Sequence, residues 1–155
     1  MKNIKKDFIV ILSILTVAFV SCKSNEKPEE KTFIVSSIVG TWTSVIDATY
    51  KFTVKDNGEI TANFQITNPM PFGGSPIPIE ANLEIDGWDA DKDKEVKKYE
   101  KTSTGKATAK TMPFLSGDIT CAFIFNSANS CSMTATISSQ LLQEPATIEN
   151  MPFIK

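Results

Sequence analysis

The sequence predicts an all-β domain, an antiparallel up-and-down meander of about eight short strands. Three observations carry that expectation. Beyond residue 33 the apolar residues recur at every second place, the period of a half-buried strand. Asp56-Asn57-Gly58, whose residue types tolerate positive φ, separates two such alternating runs. Helical signals are scarce, confined to a turn within Phe33 to Val39 and another within residues 138–145.

In order along the chain, Tyr50, Phe52 and Val54 share one phase while Lys51, Thr53 and Lys55 take the other. Residues 59–66 repeat the pattern with Ile60, Ala62, Phe64 and Ile66 inward, so the Asp-Asn-Gly turn makes the two runs a hairpin. Residues 77–85 turn Ile77, Ile79, Ala81, Leu83 and Ile85 to one face. Pro78 has no N–H for a ladder bond, which places an edge or a bulge at that end. Residues 117–138 read as a further hairpin, with Ile119, Cys121, Phe123 and Phe125 in phase and Cys131, Met133, Ala135 and Ile137 in phase opposite them. The carboxylates of the clear strands, Glu59, Glu80 and Glu84, all fall on the outward phase.

Composition narrows the chemistry. The chain has 155 residues, 41% of them apolar, enough for one domain with a real core. Its sixteen lysines face eighteen acids, a balance that points to no nucleic-acid partner. There is no histidine and no arginine. The commonest metal ligand, the usual acid/base near neutrality and the bidentate anion fork are therefore missing. With no inward carboxylate on a clear strand and no serine paired with a base, a binding role is expected rather than an enzymatic one. No cofactor motif appears: the Gly-Lys of residues 105–106 lacks the first glycine and the hydroxyl residue of a phosphate loop.

The amino terminus carries its own message. Lys2, Lys5 and Lys6 precede thirteen mainly apolar residues, 8–20. A helix of that length rises about 20 Å, short of a hydrocarbon core of roughly 30 Å, so residues 1–21 read as an export signal. Phe19-Val20-Ser21-Cys22 resembles a bacterial lipobox. That resemblance implies that Cys22 is acylated and becomes the mature N-terminus, carrying three acyl chains as a membrane anchor. With Lys23 rather than aspartate next to it, the resemblance favours the outer membrane of the cell envelope. An ordinary signal peptide cut near Ser21 is the competing reading. Residues 22–32, charged and without an apolar anchor, read as a flexible tether, and residues 33–155 as the folded domain. Without residues 1–21 the chain keeps thirteen lysines against seventeen acids.

Ile38-Val39-Gly40-Thr41-Trp42-Thr43-Ser44, followed by the hairpin that opens at Tyr50, resembles the start of bacterial lipocalin-like domains over residues 38–66. The resemblance implies a closed up-and-down barrel in which Gly40 opens the first strand. It also implies a late arginine laid across the tryptophan; in this arginine-free chain a lysine or an apolar lid takes that place. Physical chemistry independently gives Trp42 the task of closing the barrel bottom, with its N–H on a backbone carbonyl. The in-phase residues Tyr50, Phe52, Phe64, Phe123, Phe125 and Met133 would line an interior suited to a small hydrophobic ligand. An eight-stranded barrel is equally of a size for side chains to fill. In that case the loops around residues 67–76 and 87–105 would meet a protein partner instead.

Three smaller patterns complete the reading. Cys121 and Cys131 share a face on neighbouring strands, so a disulfide and two buried free thiols both remain open. Asp89, Asp91, Asp93 and Glu100 stand at positions 1, 3, 5 and 12 of a calcium-type loop, but Lys94 occupies the place of the turn glycine, which favours a solvated loop and edge strand. Met-Pro-Phe recurs at Met70, Met112 and Met151 with uneven spacing, and the strand count puts the first two copies at opposite barrel ends.

Overall fold

The computed structural model describes residues 31–66, 76–111, 116–140 and 144–155. The expected export signal and Cys22 lie outside the described residues, as do residues 67–75 and the first two Met-Pro-Phe copies.

The elements run β1 (Phe33–Ile34), a 3₁₀ turn (Val35–Ile38), β2 (Gly40–Ser44), β3 (Lys51–Val54), β4 (Glu59–Ile66), β5 (Ile77–Glu84), α1 (Trp88–Asp91), β6 (Glu95–Val96), β7 (Tyr99–Ala109), β8 (Ser116–Ser127), β9 (Ser130–Ser138) and β10 (Ala146–Ile154). Eight strands close into an antiparallel barrel in the order β10-β2-β3-β4-β5-β7-β8-β9. β1 and β6 form a separate two-stranded ladder.

Alternation sets the barrel's two faces. Phe52 and Val54 on β3, and Ile60, Ala62, Phe64 and Ile66 on β4, are all buried. Gly58 holds φ at +84° in the turn between them, where Lys55 N–H donates to Glu59 O at 2.9 Å. Trp88 of α1 covers this turn, its Nε1 donating to Asp56 O at 3.0 Å. Pro78 sits opposite Gln65 on the β4 side, whereas the ladder with β7 begins one residue later at Ile79 and Ala109. The missing N–H therefore falls just past the end of a ladder, not on an edge or a bulge. The bulges lie elsewhere, in β8 between Phe125 and Ser127 and in β10 between Ile148 and Met151.

The two ends of the barrel differ. One receives the 3₁₀ turn, the β3–β4 turn, the β5–β7 connection with α1 and β6, the β8–β9 turn and the carboxyl terminus. The other receives the β2–β3, β4–β5, β7–β8 and β9–β10 connections. The connections that carry the first two Met-Pro-Phe copies thus leave from the same end, correcting the strand count.

Candidate functional site: the barrel interior

The sealed end is built around Trp42. Its indole, completely buried, donates Nε1 to Ile38 O of the 3₁₀ turn at 2.9 Å. Lys155, the last residue, sets its ammonium 5.9 Å from the indole ring centroid and bonds the carbonyls of Ser37 and Val39. A lysine thus stands where the resemblance implied a late cation. Gly40, at φ +136°, lies against the same lysine: a Cβ there would come within 3.0 Å of its Cδ.

Above this plug lies a layer of rings. Trp42 stacks on Phe52 at 5.7 Å between centroids, Phe52 meets Phe123 at 5.1 Å and Phe153 at 4.9 Å, and Phe123 stacks on Phe125 at 5.9 Å. Tyr99 reaches Phe125 at 6.2 Å. Three of the six expected lining residues, Phe52, Phe123 and Phe125, therefore spend their faces on one another. Met133, directly across from Phe123, belongs to the same level. Phe153 completes the layer and was absent from the expected lining. Its signal was the third Met-Pro-Phe copy, which lies within β10.

The half farther from Trp42 is mainly aliphatic. Phe64 faces Ile79, Ile119 faces Ile137, and Ala62, Ala81 and Ala107 follow one another in register across β4, β5 and β7. Tyr50, the sixth expected residue, immediately precedes β3 and is half-buried. Its hydroxyl donates to Gln65 O at 3.0 Å, so it braces β4 rather than standing free in the interior.

Most polar groups in and around the interior are partnered. Ser44 Oγ accepts from the amides of Ile46 and Asp47 at 3.1 and 3.4 Å. Lys101 stands on the inward phase of β7, opposite Phe123, yet its ammonium reaches Asp91 Oδ2 at 2.8 Å and Asp86 O at 3.2 Å. Asp91 also pairs with Lys94 and accepts from Tyr99 Oη at 3.3 Å. The hydrogen bonds from Lys101 and then Lys94 hold its carboxyl down at about 2, while burial, reinforced by Asp91, pushes the Tyr99 phenol up. Ser103 differs: it is 2% exposed and on the inward phase, and its Oγ is the one buried side-chain oxygen or nitrogen among the described residues with no partner.

The two cysteines are free and buried. Cys121 faces Ala135 and Cys131 faces Phe125. They share the inward face of adjacent strands, but the register holds them four residues apart, about 13 Å at strand rise, beyond disulfide reach. The disulfide reading is corrected on that ground. Burial pushes both thiols up to about 12.

Comparison with known protein families, with curated proteins and with solved structures gives no match to this chain.

The calcium-type pattern is dispersed. Asp89 pairs with Lys92, Asp91 is committed to Lys101 and Lys94, and Glu100 faces outward to Lys98, with Asp93 exposed. Among the described residues no group of three acids or cysteines is placed to hold a metal ion.

Proposed function

We propose that this chain is an exported lipoprotein, anchored in the cell envelope through acylated Cys22, whose lipocalin-like barrel holds one small hydrophobic molecule. The observation that supports the binding role is the asymmetry of the barrel. Indole, 3₁₀ turn and Lys155 seal one end, and among the described residues no second plug of this kind stands at the other. A barrel plugged at one end and lined with apolar side chains suits a container. The ring layer confines the ligand to the aliphatic half, lined by Phe64, Ile79, Ile119 and Ile137, where an apolar guest displaces no ring pair. The role is binding, not catalysis.

A second reading has its own support. The mutual packing of Phe52, Phe123 and Phe125 is what a filled barrel would contain, and such a molecule would act as an interaction module through its loops.

The full chain, purified gently from bacterial membranes and weighed under native and denaturing conditions, separates the two. A stoichiometric excess mass lost on denaturation is expected. Its absence, with no quenching of Trp42 or Trp88 fluorescence by a panel of lipids, would favour the interaction module. Metabolic labelling with a palmitate analogue tests the anchor: label is expected on the native chain and lost in Cys22→Ser.

A further inference from the structure

The hydroxyl of Ser103 has no protein partner although it is almost wholly removed from water. Such a group costs about 1–3 kcal/mol unless something bonds it, which makes its place in the fold informative.

The strand register gives that place. Along β7 the inward residues Tyr99, Lys101, Ser103 and Gly105 face Phe125, Phe123, Cys121 and Ile119 in turn. Ser103 is therefore one inward step beyond the level of Phe123, at the floor of the aliphatic half. On the β8 side its surroundings are small, since Gly105 is the next inward position, Cys121 lies across the ladder and Ala135 lies across from Cys121, while on the β5 side Leu83 faces Gly105 and buried Ile85 follows it. A guest resting on the ring layer would meet this oxygen first.

The charges nearby limit what the guest is. Lys101, the one lysine on the inward phase of a barrel strand among the described residues, is committed to Asp91 and Asp86 O. Every other described lysine is exposed except Lys92, which pairs with Asp89 outside the barrel. A carboxylate carried inside would lose its water and gain no cation. A neutral oxygen needs only the hydrogen bond that Ser103 has to give.

We infer that the barrel's ligand is a neutral apolar molecule bearing a single hydrogen-bonding oxygen, of the ketone or alcohol class, and that this oxygen bonds Ser103 Oγ. This rests on the reading of the barrel as a container for a small molecule and adds the ligand's polar end and its orientation, with the oxygen pointing down onto the ring layer.

The test uses two probes of nearly equal shape, ethylbenzene and acetophenone, which differ by a methylene exchanged for a carbonyl. Their binding to the full chain is measured by titration calorimetry for the native protein, Ser103→Ala and Ser103→Cys, the last keeping the volume with a weak donor. Both probes are expected to bind the native chain. Ser103→Ala is expected to weaken acetophenone about tenfold, the loss of one hydrogen bond, and to leave ethylbenzene within twofold. Ser103→Cys is expected to fall between. Native circular dichroism confirms that each variant is folded; if Ser103→Ala is not, Ser103→Cys alone carries the comparison. Binding of both probes with no selective loss in the variants overturns the role of Ser103 and leaves the container standing. Failure of the native chain to bind either probe overturns both.

Discussion

At the scale of single residues, burial decides which side chains are chemically available. Cys121 and Cys131 are enclosed and lifted to about 12, so thiolate is scarce at ordinary pH. Both are expected to resist a maleimide at pH 8 in the folded protein and to react fully in denaturant. Labelling of Cys121 or Cys131 in the native chain within minutes would contradict their burial, and a gain of two hydrogens in mass on reduction would contradict the register that parts them. Asp91 behaves in the opposite sense. Its carboxyl is lowered from 3.8 to about 2 by Lys101 and Lys94, so the stability it contributes is present above the unfolded value and lost as pH falls from about 4 to about 2. A melting series across that window should show less acid sensitivity in Asp91→Asn than in the native chain. Equal slopes would mean that the lysines do not hold this carboxylate in solution.

At the scale of elements, hairpins and plug depend on a few local choices. Gly58 combines a left-handed φ with Trp88 packed so closely that a Cβ would meet its Cγ at 2.7 Å. Gly58→Ala is expected to cost about 1–2 kcal/mol for the backbone alone, and more for the displaced indole. Denaturant melts read this directly, and a change within 0.5 kcal/mol would refute the contact. Trp42→Phe keeps a ring against Phe52 but abandons Ile38 O, an expected loss of about 1 kcal/mol, whereas Trp42→Ala should lose about 3–5 kcal/mol. Similar losses in both would mean that the hydrogen bond, not the ring, carries the plug. These elements also show what a sequence can and cannot convey. The β3–β4 hairpin and the β8–β9 pair were legible because bulky apolar residues mark their inward phase. β7 was not, because its inward phase is Tyr99, Lys101, Ser103, Gly105, Ala107 and Ala109, too polar and too small to stand out from the threonines between. Ser103 was missed for that reason. β1, β6 and α1 are too short to show any period, and the offset of the two cysteines is a property of the β8–β9 turn rather than of either strand.

For the whole molecule, closure is the vulnerable feature. β10 pairs with β9 along most of its length but meets β2 at only two register positions, Phe153 with Ser44 and Ile154 with Thr43. Phe153 also completes the ring layer and Lys155 the plug. Deleting residues 153–155 therefore removes the closing pairs, a core aromatic and the cation over Trp42 together. The loss of Phe153 alone is worth about 3–5 kcal/mol in a domain whose total stability is of order 5–15 kcal/mol. Collapse of chemical-shift dispersion in the truncated chain is expected, and a native-like spectrum would show that eight strands hold without their seam.

That seam also sets a schedule. The ladder that joins the last strand to the first is made by Phe153 and Ile154, so a nascent polypeptide has every other barrel strand before it has the means to close. Until those two residues leave the ribosome, the ring remains an unfinished sheet with the β2 edge unpaired, a form still able to be drawn out as a thread. A stop before residue 153 would leave a sheet with two edges and no ladder between them.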